Sequence, residues 1–480
     1  MEKKTGEWTT RLAVTGVALT LGTALPGGYC IGVMNNLATV ICDWCSDVLR
    51  MQYSVVLSDA AMNTLWSAIV SVFLLGGIVG AIGGAWMSNK FGRKACMLLC
   101  ASLLLNGAIL FYCCRLFKSV ELLVIGRFIV GISAGLTTSS LPVYLCELAP
   151  LSLRGTLGVL NGMGFTVGVV VGQVCSLNGV FGAADKWHIA ISFYVILVII
   201  CFAPVCYFPE SPKWLYIVKR NNKAAHRQLE LLRGHDKSDV ITKEIDEMET
   251  ERNLKNQTSS FGEVLKNPAL LLPIFIVCVY QGGQQLSGIN AIFYYSVSIF
   301  KRAGMSAEAA ELTNLAVGFV NLGVGLFNPY LMAKVNRRPL MLGSSICCGI
   351  FLFSFAIMLK YMDYIDWFAT GCIACIFLYI IAFQLGIGPI PPFIASELFE
   401  VAPRSVAMSL SSISCWGCCF ILCMAFPTLQ VAWGAWVFLP FSITCAILFV
   451  VTYYYLPETR NRDISQVARS ISNGFKSKVR

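Results

Sequence analysis

Charge is the first thing this chain is short of. Asp, Glu, Lys and Arg make up 13% of its 480 residues, while 56% are hydrophobic. Soluble domains carry about a quarter charged residues, so an ordinary soluble globular fold is excluded. Histidine is scarcer still. His188, His226 and His235 are the only three, and their scatter matches no metal-ligand spacing, so no metal site is expected. A nucleophile elbow and a phosphate-cradling glycine loop are both missing. The glycines that do crowd together, Gly76, Gly77, Gly80, Gly83 and Gly84, fit close helix packing rather than nucleotide binding. Nothing here supports an enzyme or a bound cofactor. A cleaved leader is not expected either, because the first apolar stretch is long and lacks a small-residue cleavage site.

What the chain has instead is long apolar runs. About twelve, from roughly 12–36 through 188–208 to 432–456, are long enough to cross about 30 Å of hydrocarbon as helices. Gly and Pro occur inside them, as membrane bundles tolerate. The expected architecture is an all-α membrane protein of twelve transmembrane helices. With both termini cytoplasmic, about 28 of the 36 basic residues fall inside and about 7 outside, leaving Arg127 within a span. Topology thus explains the net charge of +10. The partner it implies is a lipid bilayer, with no need for nucleic acid.

A polar segment divides the spans evenly. This gives an N-terminal bundle at 1–208, an intracellular helical linker at 209–268, a C-terminal bundle at 269–458 and a cytoplasmic tail at 459–480. Within the linker, Ala224 to Leu254 reads as charged helix, with Glu230, Glu244, Glu247 and Glu251 interleaved with Arg227, Arg233 and Lys243. The 21 cysteines form no disulfide framework, since most lie in apolar spans as small hydrophobes. Cys42 and Cys45 sit in the expected outer loop before the second span, where a disulfide and two free thiols are both open. The sequon Asn256-Gln257-Thr258 falls on the expected inside, where it goes unused.

The two bundles carry nearly the same ending to a helix. Pro142-Val143-Tyr144-Leu145-Cys146-Glu147 is followed by Pro150 and Arg154-Gly155. Pro391-Pro392-Phe393-Ile394-Ala395-Ser396-Glu397 is followed by Pro403-Arg404, with the same Glu-to-Arg distance. Such a repeat is the trace of a transporter built from related halves that rock against each other.

Further motifs fall into the same order. Asn89-Lys90-Phe91-Gly92-Arg93-Lys94 follows the second span, and Lys334-Val335-Asn336-Arg337-Arg338 follows the eighth. Pro209-Glu210-Ser211-Pro212-Lys213-Trp214-Leu215 follows the sixth, and Pro457-Glu458-Thr459-Arg460 the twelfth. The seventh holds Gln284-Gln285-Leu286-Ser287-Gly288-Ile289-Asn290, continuing to Tyr294-Tyr295. Taken together, nearly end to end, the chain resembles the sugar porter family of the major facilitator superfamily, and most closely its animal facilitative hexose transporters. The resemblance implies a facilitator of glucose or fructose in the cell membrane, with a small sugar as substrate.

It also implies roles for residues. Arg93, Glu147, Arg154 and Glu210 should cluster at the cytoplasmic end of the first half, and Arg337, Glu397, Arg404 and Glu458 in the second. There they would tie helix ends together while that side is closed, a task of a few kcal/mol. The alternative is ordinary loop charge. Gln284, Gln285, Asn290, Asn321 and Trp416 match sugar-contacting positions, and Gln281 and Gly388 join the expected lining. Amides donate and accept, and an indole stacks on a sugar ring. Polar glue between helices is the competing reading for the amides. Tyr294 and Tyr295 would form an outer gate, or equally an interfacial aromatic belt.

Several positions depart from the family pattern. Ala333 and Asn336 replace an acidic residue and a Gly, which would weaken the second charge cluster. Gly162 replaces a Gln after Asn161, Pro392 a Trp, Gln384 a Glu, and Cys415 and Cys419 the two Asn beside Trp416. Gln281-Gly282-Gly283 is closer to the form in fructose-type members. Each lost hydrogen bond to a buried hydroxyl weakens binding by roughly 1 kcal/mol, so another small polar solute such as urate or a polyol, or a non-transporting sugar sensor, stays open. Proton coupling is not expected. Its carboxylate position in the first span is Cys30, in Gly28-Tyr29-Cys30-Ile31-Gly32. A thiol with an ordinary pKa of about 8.5 stays neutral there. Uniport by alternating access is therefore the expected mechanism, with Arg127 held by helix carbonyls or polar side chains.

Overall fold

The computed structural model describes residues 8–480 except 151–152, 235–237, 256–260, 303, 366, 400, 461, 463–466, 468–469, 472–473 and 477–480. The sequon at Asn256 lies outside the described residues, as do the side chains of Arg154, Tyr294, Tyr295 and Arg404. Among the described residues the chain is helical, with no strand. The reason is physical: in hydrocarbon every backbone N–H and C=O must be satisfied within its own segment.

Among the described residues, eleven helices are long and apolar enough to cross a membrane, from Thr10–Gly32 at the start to Thr428–Tyr455 at the end. A shorter apolar helix, Trp187–Phe202, occupies the sixth place. It stops before the expected end near 208 because Pro204 interrupts the helix after Ala203, and a single 3-10 turn follows at Val205–Tyr207. Two spans are broken in mid-course. The seventh runs Pro268–Leu286, turns at Ser287 and Gly288, and resumes as Ile289–Arg302. Gly288 takes φ +91°, and a Cβ there would lie 2.5 Å from the Phe441 ring, so only glycine fits. The tenth runs Trp367–Leu385, breaks over Gly386-Ile387-Gly388-Pro389, and resumes as Ile390–Leu398.

The loop expected around Cys42 and Cys45 is instead a helix, Met34–Tyr53. Its buried residues Leu37, Ile41, Cys45 and Val48 recur at helical spacing on one face, while Asp43 and Asp47 lie off it. All 21 cysteines are outside any disulfide, so both thiols are free. The charged helical stretch of the linker comprises two helices, Asn222–Arg233 and Ser238–Lys255. Gly234, at φ +95°, ends the first. The pair touches both halves: Ser238–Lys255 lies against Val401–Trp433 of the second, and Arg233 reaches the first. Arg233 donates to both oxygens of Glu244 (2.8 and 3.1 Å) and to the backbone oxygen of Leu148 (2.9 Å) at the end of the fourth span.

The second span (Asp59–Phe91) and the fourth (Val120–Leu148) meet backbone to backbone. A Cβ on Gly76 would sit 2.3 Å from the Phe128 oxygen, on Gly80 2.1 Å from that of Ile132, on Gly131 2.0 Å from that of Phe73, and on Gly135 2.1 Å from that of Gly77. Gly77 has a second role, because its open face receives the ring of Trp416 from the eleventh span. Gly83 faces nothing within 4 Å and is not part of this seam. Arg127, buried beside it, donates to the backbone oxygens of Cys30 (2.8 Å), Ile69 (3.3 Å) and Val70 (3.4 Å). Its guanidinium lies 4.7 Å over the Phe73 ring, so helix carbonyls and an aromatic face hold the charge.

The same substitution should therefore have opposite outcomes at two glycines. Gly135→Ala is expected to cost about 1–3 kcal/mol through overpacking, while Gly83→Ala changes stability by less than about 0.5 kcal/mol. Thermal unfolding of the two purified variants in the same detergent checks this.

Candidate functional site

The seventh span presents its amides to the broken tenth. Gln284 donates from Nε2 to the backbone oxygens of Ile387 (2.9 Å) and Gly388 (2.6 Å). These carbonyls lie in the break, where no helical turn receives them. Gln285 donates from Nε2 to Gln284 Oε1 (3.4 Å) and to Cys415 Sγ (3.0 Å). Asn290 donates to Gln285 Oε1 and to Cys419 Sγ, the latter at 3.1 Å. Thus Gln284, Gln285, Asn290 and Gly388 are brought into one patch, and the two cysteines of the eleventh span are part of it. Asn321 stands apart, receiving a hydrogen bond of 2.6 Å from Gln384 Nε2. Trp416 donates from Nε1 to Thr138 Oγ1 of the fourth span (3.2 Å) and sets its edge against Phe73, with ring centroids 6.0 Å apart.

Several polar groups remain unengaged, two of them on the fifth and seventh spans. Gln281, one turn before Gln285 on the same helix face, is buried and makes no side-chain hydrogen bond among the described residues. The amide oxygen of Asn161 in the fifth span is buried without a partner, and next to it a Cβ on Gly162 would meet nothing within 4 Å. Buried polar atoms ordinarily find partners, so an unpartnered amide group here is the exception. Two apolar grooves elsewhere, about 260 and 250 Å³, are lined by residues such as Leu25, Val171 and Ile196 or Ile109, Tyr112 and Val195. Neither contains one of these amides, and apolar walls offer a polyhydroxylated solute no partner.

The charged residues form two similar constellations. Arg93 makes a two-point contact with Glu147, Nε to Oε2 and Nη2 to Oε1 at 2.8 Å each. Glu210 accepts from the backbone N–H groups of Arg93 (3.0 Å), Lys94 (3.2 Å) and Ser211 (2.9 Å). It thereby caps the third span (Arg93–Leu116). Burial pushes its carboxyl up, and those N–H donors oppose the shift. In the second half, Glu458 accepts from the N–H groups of Arg337 (3.0 Å) and Arg338 (3.3 Å) at the start of the ninth span. Arg337 reaches Glu397 through Nη2 alone, at 3.1 Å, and its buried Nε has no partner.

The N-caps differ as the sequences do. Gly92 takes φ +102°, whereas Asn336 sits at an ordinary −69°. Two further members are not among the residues expected from the sequence: the hydroxyls of Ser211 and Thr459 donate to Glu147 and Glu397. The clue was available, since each follows the Glu of a Pro-Glu pair.

A third group joins the two halves at the opposite end of the bundle. Asn35 donates to the Phe293 backbone oxygen (2.6 Å) and to Ser296 Oγ (3.0 Å). The Ser296 hydroxyl donates to Asn314 Oδ1 (2.6 Å), and Asn314 Nδ2 donates to Asn36 Oδ1 (3.4 Å). Asn36 in turn reaches Ser176 Oγ (3.0 Å), while Gln173 Nε2 donates to the Asn314 backbone oxygen (3.4 Å). Asn35, Gln173, Ser296 and Asn314 are all buried.

A family described as sugar (and other) transporter matches residues 15–470. The chain belongs to that family. As a member it is a multi-pass membrane protein of the major facilitator fold, and not an enzyme. Among relatives of this sugar transporter family member, facilitated glucose transporter member 3 of Ovis aries is 33% identical over 458 residues, spanning 94% of this chain and 91% of the relative. Facilitated glucose transporter member 1 of Gallus gallus is 32% identical over 468 residues, spanning 96% and 93%. The solved proton:xylose symporter XylE superposes with a TM-score of 0.81 at 22% identity, covering 96% of this chain and 99% of that one. Its inward open form from E. coli gives 0.76, also at 22% identity, over 95% and 99%.

The difference between the two Arg–Glu contacts predicts unequal costs. Glu147→Gln leaves a buried, previously two-point guanidinium uncompensated and should destabilise by about 3 kcal/mol. Glu397→Gln removes one longer contact and should cost about 1 kcal/mol. Unfolding midpoints of both purified variants, measured side by side, check the order.

Proposed function

We propose that this protein is a facilitative hexose transporter of the cell membrane, carrying glucose or fructose down its gradient by alternating access. Both termini are cytoplasmic, so the charged constellations lie on the inner side and the Asn35–Asn314 network on the outer side. The units that rock are 1–208 and 269–458, joined by the linker 209–268 and followed by the tail 459–480. The observation that carries the reading is the neutral amide set on the seventh span beside Trp416, with Gln281 unengaged. A sugar asks for groups that donate and accept without charge, and amides do both. The names of the relatives, facilitated glucose transporters at 32% and 33% identity, point the same way.

In this account the substrate enters between Asn161 and Gln281 and is flanked by Trp416, Gln285, Asn290, Asn321 and Gly388. Tyr294 and Tyr295 close over it from the outer side. Arg93, Glu147, Arg154 and Glu210, with Arg337, Glu397, Arg404 and Glu458, hold the helix ends of each half as the inner side opens and closes. A few kcal/mol is the scale such a two-state change requires. Gln284 contributes chiefly by holding the break of the tenth span in register. Uptake of radiolabelled glucose, fructose and urate into vesicles containing the purified protein tests the reading. Saturable hexose flux supports it; flux of urate or a polyol alone, or ligand binding without flux, replaces it.

Two outcomes follow. Gln285→Ala should lower hexose transport severalfold at unchanged surface expression, because a side chain that both donates and accepts is lost from a dry site. Uptake at matched surface expression measures this. Flux should also ignore an imposed proton gradient, since the first span carries Cys30 and no carboxylate. Accumulation above equilibrium that a protonophore abolishes would contradict uniport.

A further inference from the structure

We propose that His188 is an acid-sensitive catch at the outer end of the bundle. Neutral, it joins the third and sixth spans and supports the helix that ties the halves together; protonated, it lets go, and transport slows. The inference rests on the orientation and the carrier activity proposed above. His188 Nδ1 lies 3.0 Å from Arg115 Nη1. A guanidinium has no acceptor, so Arg115 is the donor and Nδ1 carries no proton. The ring is therefore neutral, with its proton on Nε2. Arg115, in the last turn of the third span (Arg93–Leu116), makes no other side-chain hydrogen bond among the described residues. A proton on Nδ1 would remove the acceptor and set two cations against each other.

The groups around the ring offer the charged form little. The third span presents Arg115 and the Tyr112 ring, whose centroid is 5.5 Å from that of His188. Asp185 and Lys186 precede the histidine on its own segment; both are exposed, and only Asp185 acts on the ring, through solvent that screens it. The helix Met34–Tyr53 faces this place with Trp44, while its Asp43 and Asp47 are exposed. His188 itself is half-buried, within reach of protons from the outer solution. What the catch supports is one residue away. Trp187 is fully buried, and its ring centroid is 4.9 Å from that of Trp44. The helix that carries Trp44 also carries Asn35 and Asn36, whose bonds to Ser296 and Asn314 join the halves. Parting the sixth span from the third at Arg115 therefore disturbs the Trp187–Trp44 contact, and with it the tie that closes the outer side. Acid favours the state with that tie open, from which substrate is not released inward. Only the rate of entry responds and not the level reached at equilibrium, so this is gating rather than proton coupling.

Two measurements test this. The first is initial uptake of labelled glucose and of labelled fructose into vesicles containing the purified protein, with pH equal on both sides so that no gradient acts. Between about pH 7.5 and about pH 5, spanning the ordinary histidine pKa of about 6.5, uptake should fall about threefold or more. In His188→Gln the amide oxygen still accepts from Arg115 but the side chain cannot charge, so the rate at the higher pH is kept and the fall is lost. An unchanged or rising rate in the unaltered protein would overturn the proposal, as would an equal fall in the variant. The second measurement needs no transport. With ring-labelled histidine and indole-labelled tryptophan, NMR of the purified protein should show His188 as the Nε2–H ring at the higher pH and as the charged ring at the lower. The indole signals of Trp44 and Trp187 should move with it. A ring protonated on Nδ1 at the higher pH, or indoles that stay still, would overturn the proposal. If neither sugar is carried at any pH, the hexose reading fails on its own account, and the spectra still decide whether the catch exists.

Discussion

A helix broken inside a membrane exposes backbone carbonyls and amides where no water can receive them, and the tenth span is broken over Gly386-Ile387-Gly388-Pro389. The rest of the site depends on how that is resolved. The Gln284 amide bonds to the carbonyls of Ile387 and Gly388, so the break in one span is held by the side chain before the break in another. This couples the seventh and tenth spans directly. It also places Gln285 and Asn290 against the eleventh span, where they meet Cys415 and Cys419. In water such amide contacts would be worth little; in a dry interior each unsatisfied group would cost several times more than the bond itself contributes.

The same constraint organises the two ends of the bundle. At one end, Glu210 and Glu458 receive the N–H groups that open the third and ninth spans, and Arg93 and Arg337 donate to Glu147 and Glu397. These contacts lie within each half. At the other end, the Asn35, Asn36, Gln173, Ser296 and Asn314 network runs between the halves. Hydrogen bonds between the halves at one end and within each half at the other give the bundle a way to hinge. In the linker, Arg233 docks on Leu148 of the first half, while Ser238–Lys255 lies against the eleventh span.

Much of this architecture was legible in the sequence, because apolar length and the positions of Lys and Arg carry most of the information in a membrane chain. The repeated Pro-to-Glu segments and the Pro-Glu pairs marked the charged constellations as well. What escaped was of three kinds. The Met34–Tyr53 helix is amphipathic rather than apolar, with Asp43 and Asp47 off its buried face, so hydropathy alone gave a loop. The Asn35–Asn314 network joins residues hundreds of positions apart, and no local spacing encodes it. The partners of Gln284 were hidden for a different reason. An amide in the seventh span looks the same whether it faces a sugar or a carbonyl, and only the tenth-span break decides.

The central claim is that one substrate site faces the two sides of the membrane in turn. Counterflow tests it most directly. Vesicles containing the purified protein are loaded with unlabelled hexose and diluted into a trace of the same hexose carrying label. Alternating access predicts that label enters faster than in empty vesicles and rises transiently above its equilibrium level before falling back. Label that rises smoothly to equilibrium at the same rate in loaded and empty vesicles would show an open pore rather than a carrier, and would contradict the account.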